Sequence, residues 1–259
     1  MKLRWLGTAG FQVDTGNNVF LIDPYLSRNP LATPAQNLKP ADIAGAGQIF
    51  ISHGHFDHLF DVPDLIRQGQ AGVYCSEIAA ASLVREGVDS HRIKPVSTDG
   101  YEVDFGDYQA RAFFSRHVKF DIPLVVRTLL RVGAGGYRRI STISKAYPPG
   151  QVLSWRFTFN GYTMHHFGSG GSTPEELARV AALPLDLLLV PLQGHTHICD
   201  IAFEYVRLLK PRMVIPHHQD DFYPPLSVMV DIEHFVRKVK AQCPDTEVRV
   251  MDMNETINL

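Results

Sequence analysis

Short apolar runs of strand length recur along the whole chain, with helical segments between them. Three such runs open the sequence, and the glycines and the turn at 15–18 that separate them predict a β-meander. Further runs typical of buried strands lie at 49–51, 72–75, 108–115, 152–159, 162–167, 187–190, 213–215 and 248–250. Because strands precede helices in each half of the chain, we expect an α/β (α+β) fold in which two sheets pack together with helices outside.

Local signals predict three of the helices. Residues 77–85 are rich in alanine, which is a strong helix former. Apolar residues between 228 and 239 recur with the spacing of one face of an amphipathic helix. A third helix is predicted to begin after Thr173, which suits an N-cap position and precedes Pro174.

Composition narrows the class of protein. The 259 residues, 45% of them hydrophobic, suffice for one large domain or two small ones with a buried core. The net charge of -2 gives no general attraction to nucleic acid. The sequence shows neither a secretory signal nor an apolar run of the roughly 20 residues that span a bilayer, so we expect a cytoplasmic protein without a transmembrane segment. Cys75, Cys199 and Cys243 are too few and too widely spaced for a disulfide framework, and are expected to be buried free thiols.

Three histidines and an aspartate lie within six residues, directly after the apolar run 49–51. In extended backbone alternate side chains share a face, so His53 and His55 can point at a common centre. Asp57 and His58 follow where the chain turns toward a helix, so they can address a neighbouring centre. Imidazole and carboxylate together suit Zn²⁺, and also Mn²⁺ or Fe²⁺. The sequence therefore predicts one or two bound metal ions.

This run, its position after an N-terminal β-meander and several later motifs resemble the metallo-β-lactamase superfamily over nearly the whole chain. Within it, the sequence is most similar to the branch of the L-ascorbate-6-phosphate lactonase and the N-acylphosphatidylethanolamine phospholipase D type enzymes. The resemblance implies a single domain over 1–259, folded as a four-layer αββα sandwich with the metal held by loops at one edge of the sheets.

The resemblance also implies which residues bind metal. His117, which ends the run 108–115, would complete one site, and His218 is favoured over His217 for the other. The implied ligands are His53, His55 and His117 at the first site, and Asp57, His58 and His218 at the second. Asp23, after the third strand, would orient ligands through hydrogen bonds.

One motif departs from the family pattern. Where the family places an aspartate that bridges both metals, this chain has Ser169, in the segment Phe167-Gly168-Ser169. A neutral hydroxyl does not offset the repulsion of two close cations, so we expect the second site to be weak or unfilled. Compensation could come from His165, from His166 or from a substrate phosphate, and the glycine-rich stretch before the next helix could cradle an anion.

Three further features invite a functional reading. Residues 119–150 carry five arginines and lysines within the stretch 127–145 and several glycines, which suits a lid over the substrate, a contact between subunits of a homo-oligomer, or a plain solvated insertion. His195 and His197 follow a strand that should end at the active edge, so they could bind substrate, donate a proton or pack on the surface. Asp220 and Asp221 could fix the imidazole of His218 or form a turn.

Together these features predict a metal-dependent hydrolase that uses a metal-activated water. Asp57 would orient or deprotonate that water, and His218 or a lid residue would stabilise the leaving group. The substrate is expected to be a small molecule, compatible with an anion, whose ester, lactone, amide or phosphodiester bond is cleaved. The resemblance favours a lactone or a phosphodiester.

Three alternatives remain at this stage. A nuclease of the same superfamily would need a basic surface or a clamp domain, and the balanced charge argues against it. An iron-dependent redox enzyme would need a partner for electrons or thiols. A binding protein with a degenerate site is suggested by Ser169, but the six implied ligands weigh against it.

Overall fold

Two seven-stranded sheets pack face to face, with helices on their outer sides, in the computed structural model of this chain. The structure describes residues 1–259, apart from the side chains at positions 134 and 137. The four-layer αββα sandwich predicted from the sequence is confirmed.

The first sheet contains both ends of the chain. Its strands are β1 (Lys2–Gly7), β2 (Gly10–Asp14), β3 (Val19–Ile22), β4 (Gln48–Phe50), β5 (Gly72–Cys75), β6 (Ile93–Pro95) and the last strand of the chain, β14 (Thr256–Asn258). They lie in the order β14-β1-β2-β3-β4-β5-β6. The pairs from β14 to β3 are antiparallel and those from β3 to β6 are parallel.

The second sheet repeats this arrangement. Its strands are β7 (Glu102–Asp104), β8 (Gln109–Ser115), β9 (Val152–Phe159), β10 (Tyr162–Phe167), β11 (Leu187–Pro191), β12 (Met213–His217) and β13 (Glu247–Val248). The order is β13-β12-β11-β10-β9-β8-β7, antiparallel from β7 to β10 and parallel from β10 to β13. Each sheet therefore has a parallel half whose strands end at a common edge.

Helices connect the strands. They are α1 (Pro40–Ile43), α2 (Phe56–Leu59), α3 (Val62–Gln68), α4 (Glu77–Arg85), α5 (Ile122–Ala146), α6 (Pro174–Ala181), α7 (Ile198–Leu209) and α8 (Glu233–Gln242). The predicted cap of α6 is present, since the hydroxyl of Thr173 accepts a hydrogen bond from the backbone N–H of Glu176. Among the described residues, none of these helices is both long and apolar enough to cross a membrane.

Three apolar clusters hold the layers together. The cluster between the sheets is rich in aromatic rings, and Trp155, fully buried, also donates its indole N–H to the carbonyl of Ile51 on the opposite sheet at 3.1 Å. Two outer clusters pack helices against the sheets, one on each side. Removing a buried aromatic side chain of this size costs about 3–5 kcal/mol, so truncation of Trp155 should lower the free energy of unfolding by about that amount.

Several sequence expectations need correction. The amphipathic helix begins at Glu233, with Ile232 as its N-cap, because residues 228–231 are not helical and the N–H of Val230 donates to the carbonyl of Gln219 instead. Cys75 is buried as expected, but Cys199 and Cys243 are partly exposed because each lies at the edge of a helix packing face.

The segment 119–150 is mostly helical. Its helix α5 is interrupted at Gly133, whose φ of 63° and ψ of −174° suit glycine because they would strain other residues.

Candidate metal centre

The polar residues of the site follow strand ends at one edge of the sandwich. Asp23 follows β3, the run 52–58 follows β4, His117 follows β8, Ser169 follows β10 and His218 follows β12. Apolar strands thus place five polar segments at one rim, where loops have the freedom to aim their side chains.

Three imidazoles form a first group. Ligand atoms of His53, His55 and His117 all lie within 4.8 Å of one another. Nε2 of His53 and Nδ1 of His55 are 3.1 Å apart. Two nitrogens bound to one tetrahedral zinc ion at ~2.0–2.1 Å would lie about 3.3 Å apart, so this spacing fits a shared ion. His117 donates its Nδ1–H to the carbonyl of Val118 at 2.7 Å, which leaves its Nε2 free as a ligand.

A carboxylate and two imidazoles form a second group beside the first. Ligand atoms of Asp57, His58 and His218 also lie within 4.8 Å of one another. An oxygen of Asp57 is 3.2 Å from Nε2 of His218 and 3.6 Å from Nε2 of His58. The rings of His53 and His58 have their centroids 4.0 Å apart, so the two groups adjoin.

Asp23 is connected to both groups by hydrogen bonds, directly to His58 and through Ser52 to His53. It is fully buried, and its carboxylate accepts hydrogen bonds from the N–H and the hydroxyl of Ser52 at 2.7 and 2.5 Å. The same carboxylate lies 2.8 Å from Nδ1 of His58. Because a carboxylate accepts, Nδ1 of His58 carries the proton and Nε2 is left free toward Asp57. The sequence indicated this role for Asp23 but gave no signal for Ser52, which links it to both groups.

Protonation states favour metal binding in the first group. Burial lowers the pKa of His53 well below its usual value, lowers that of His55 to about 4 and also lowers that of His117. The neighbouring imidazoles add to this effect because like charges disfavour protonation. At neutral pH all three rings are therefore neutral, which is the form that binds metal.

In the second group, neighbouring charges outweigh burial in setting the direction of the pKa shifts of Asp57 and His58. Burial tends to raise the pKa of Asp57, but His58 and His218 outweigh it and hold that pKa well below the usual range. Burial also tends to lower the pKa of His58, but Asp23 and Asp57 raise it overall. Asp57 is therefore an ionised carboxylate at all physiological pH values.

The structure distinguishes between the two adjacent histidines at the end of β12. His218 joins Asp57 and His58, with a φ of 62° and with its N–H donating to the carbonyl of Thr8 at 2.9 Å. His217 points between the sheets, where its ring stacks on His166 with the centroids 4.9 Å apart.

The two aspartates that follow His218 do not contact its imidazole. Asp220 forms a buried ion pair with Arg28 at 2.5 Å and accepts from the N–H of Thr8, which fixes the backbone around the site. Asp221 accepts from the hydroxyl of Ser227. Of the two roles that the sequence allowed, holding the ring is not the one seen here, because the hydrogen bonds of both carboxylates go to other residues.

Ser169 lies beside the two groups but belongs to neither. Its hydroxyl accepts a hydrogen bond from the N–H of Val118 at 2.9 Å, so it connects to the segment that carries His117. A Cβ on Gly168 would lie 2.0 Å from the hydroxyl of Ser52, and one on Gly171 would lie 2.2 Å from the carbonyl of His117. Close approach to the ligand segments accounts for these glycines without an anion.

The remaining candidate histidines lie outside the two groups. His165 and His166 are fully buried in β10, and Nε2 of His166 lies 3.1 Å from the carbonyl of Ala9. His195 is partly exposed and His197 exposed, and neither is among the described side chains that line the cavity over the site. The structure thus brings together the six implied ligands, with Asp23 and Ser169 adjacent, and leaves His166, His195 and His197 aside.

A cavity of about 330 Å³ opens above both groups. The ligands form its floor, and much of its remaining lining comes from both halves of α5 and from residues 222–228. The sequence singled out 119–150 as a lid or insertion, but its apolar residues facing this cavity were not recognised, because glycines and charges dominate the segment.

Comparison with known proteins places this geometry in a family. Residues 2–218 match the family model described as a beta-lactamase superfamily domain. A UPF0173 metal-dependent hydrolase of Pelotomaculum thermopropionicum is 30% identical over 262 residues, which cover 100% of this chain and 100% of the relative.

Solved structures share the fold at lower identity. Igni18, a metallo hydrolase of the archaeon Ignicoccus hospitalis, superposes with a TM-score of 0.71 at 19% identity, covering 99% of this chain and 97% of that chain. The isothiocyanate hydrolase from Delia radicum gut bacteria gives a TM-score of 0.70 at 14% identity, covering 100% and 99%. The chain belongs to the metallo-β-lactamase superfamily, among the UPF0173 metal-dependent hydrolases.

Proposed function

We propose that this metal-dependent hydrolase cleaves an ester or lactone bond of a small molecule, with its catalytic ions held by the two adjoining ligand groups. The proposal rests on one observation, which is that the two ligand groups lie side by side at the bottom of one cavity. The resemblance of the sequence to the lactonase branch supports a lactone. A phosphodiester, the second candidate, rests on that resemblance alone.

The ligand chemistry favours zinc. The first group offers three neutral imidazoles, and neither group contains a thiolate among the described residues. Three protein ligands with one open position are the usual arrangement of a catalytic zinc site. Manganese and iron accept the same ligands, so metal analysis has to decide between them.

Asp57 and His218 are the proposed catalytic residues. When bound, a divalent ion acidifies a water molecule and polarises the carbonyl under attack. Asp57, held ionised by its neighbours, accepts a hydrogen bond from the attacking water and orients it. Because its pKa is low, Asp57 is suited to accept a hydrogen bond from the water and not to take up its proton. Where the second group holds no ion, His218, 3.2 Å from Asp57 and also on the cavity floor, is placed to contact the leaving group.

Asp23 and Ser52 act as positioning residues. The carboxylate of Asp23 fixes His58 with its Nε2 toward the cavity side, and Ser52 connects that carboxylate with Nδ1 of His53 at 3.0 Å. This arrangement holds one imidazole of each group before any ion binds. Such support of ligands by a carboxylate typically contributes 10–100-fold in metal affinity or activity.

Metal content and activity of purified protein test the proposal. We expect protein prepared without added metal to contain a divalent ion and to hydrolyse members of a panel of p-nitrophenyl esters, γ- and δ-lactones, and bis-p-nitrophenyl phosphate. His53→Ala and His55→Ala should each lose metal and at least about 100-fold in rate, because a ligand is removed. Circular dichroism should stay unchanged, since both residues lie on a loop.

His197→Ala is the matched control, because His197 is an exposed histidine outside the cavity. It should keep wild-type metal content and rate. Unchanged metal content in His55→Ala would overturn the ligand assignment. Iron together with redox turnover but without hydrolysis would instead favour an oxidative enzyme of the same fold.

A further inference from the structure

We propose that the substrate carries an apolar group of roughly ten non-hydrogen atoms, which binds in the cavity between α5 and residues 222–228. This inference rests on the proposed function and names the substrate class of the same site. It makes the protein a hydrolase of apolar acyl or alkyl esters and lactones, with the scissile bond at the ligand groups and the apolar group beneath α5.

The lining of the cavity is the first observation. Away from the ligand groups its walls are mainly aliphatic and aromatic side chains. They include Leu124, Leu129, Ile140, Ile143 and Phe222. Burial of apolar surface is the main favourable contribution that such walls can make to binding. A polar substrate would lose hydrogen bonds to water here without replacing most of them.

The charges around the cavity are the second observation. Among the described lining residues outside the ligand groups, Arg131 alone carries a formal charge. Its guanidinium already donates to the carbonyl of Pro225 at 2.8 Å and to that of Leu226 at 3.4 Å. It is thus engaged in joining α5 to the opposite wall. No other charged side chain lies in the upper part of the cavity among the described residues, so its apolar walls favour an uncharged group.

The attachment of α5 is the third observation. At its start, Asp121 accepts from the N–H of Thr196 at 3.0 Å. Beyond its end, the carbonyl of Pro149 accepts from the N–H of Gly54, within the metal-binding run itself, at 2.9 Å. A Cβ on Gly54 would lie 2.3 Å from the carbonyl of Pro148, so glycine is required for this approach. The roof of the cavity is therefore fastened at both ends and is part of the folded site.

The size of the cavity sets the expected length of the group. A volume of about 330 Å³ corresponds to roughly ten groups the size of a water molecule at ~30 Å³ each. Each methylene moved from water into an apolar site should raise affinity about threefold to fourfold. The gain should stop when the cavity is full.

A homologous series of alkyl hydroxamates tests the inference by binding alone. The hydroxamate head chelates a metal ion, and the tail extends into the cavity, so the series from acetohydroxamate to dodecanohydroxamate is titrated into metal-loaded protein by calorimetry. We expect the dissociation constant to fall about threefold per added methylene and to level off near eight to ten carbons. A constant affinity across the series would overturn the inference.

Variants of α5 locate the tail. In Leu124→Trp the affinity should stop rising several carbons earlier, because the indole fills space in the cavity. In Leu124→Ala it should continue to rise for longer chains. Leu130→Ala, on the same helix but 81% exposed and absent from the lining, should leave the series unchanged. If Leu124→Trp fails to fold, the extended plateau of Leu124→Ala carries the test. A plateau that neither variant moves would overturn the inference.

This design separates the inference from the proposed function. A steep dependence on chain length in a protein that hydrolyses no ester or lactone would support the apolar cavity and overturn the proposed reaction. Hydrolysis together with no dependence of hydroxamate affinity on chain length would overturn the apolar cavity and leave the reaction standing.

Discussion

Individual residues at this site were predictable where their chemistry is unusual. Three histidines and an aspartate within 53–58 are side chains of the types that bind metals, and such a density is rare for structural reasons alone, so the sequence could indicate them directly. Ser52 and Gly168 are ordinary residue types, and their roles follow only from contacts across the fold. The hydroxyl of Ser52 reaches Asp23, and Gly168 leaves it room. Contacts between residues 29 positions apart, as Ser52 and Asp23 are, or farther apart, as Gly168 and Ser52 are, are not encoded in local patterns.

Asp57→Asn tests the role of the ionised carboxylate. The amide keeps the shape but loses the charge that the site holds at neutral pH, so water is no longer oriented by an anion. We expect kcat to fall about 100-fold to 10,000-fold, with a much smaller change in KM. Steady-state kinetics on the best ester or lactone gives both constants. Equal losses in affinity and turnover would point to a purely structural role.

Ser169→Asp tests how charge controls the second ion. In the wild type we expect the group of His53, His55 and His117 to bind first, and the second group to bind weakly. A carboxylate at position 169 should raise affinity for the second ion about tenfold or more, since it offsets repulsion between two cations. Titration of demetallated protein by calorimetry measures both steps.

Ser169→Asn is the control for shape, because it adds a similar side chain without charge. It should leave the second step weak. Two equally tight steps in the wild type would show that the neutral hydroxyl does not limit occupancy. A gain of the same size in the Asn and Asp variants would show that shape matters rather than charge.

At the scale of elements, apolar runs predicted the central strands of both sheets but missed three short strands at the sheet edges. β5, β9 and β10 have the bounds that their apolar runs indicated. β6, β7 and β14 were not predicted, since each has three residues and forms only because a neighbouring strand offers hydrogen bonds. The glycines of 119–150 suited a lid or a solvated insertion, yet most of the segment is helical, and the backbone leaves the helical φ/ψ region at Gly133.

For the whole molecule, the burial of histidines predicts sensitivity to acid. Burial lowers the pKa of six of them, namely His53, His55, His117, His165, His166 and His217. The unfolded chain takes up these protons near pH 6.5, but the folded chain does so only at lower pH, about 4 for His55 and His166. Stability of the metal-free protein should therefore fall as pH decreases from 6.5 toward 4.

His165→Phe tests one contribution to this trend. His165 lies against the rings of Phe113 and Phe167, away from the metal ligands, so phenylalanine should fit. Removing one buried titrating group should reduce the loss of unfolding free energy by about 1.4 kcal/mol per pH unit below 6.5. Urea denaturation of metal-free wild type and variant at pH 7.5, 6 and 5 measures it. Parallel pH profiles would contradict the assignment.

Both tryptophans of the chain donate hydrogen bonds to backbone carbonyls close to the centre. Trp155 donates its indole N–H to the carbonyl of Ile51, next to Ser52, and Trp5 donates to the carbonyl of Thr8, whose carbonyl also accepts from His218. Both indoles are buried, so neither is in contact with bulk water. The tryptophan fluorescence of this protein consequently arises from two indoles, one hydrogen-bonded to the residue before Ser52 and the other to the carbonyl that also accepts from the N–H of His218. Unlabelled protein thus contains its own optical reporter of events at the centre.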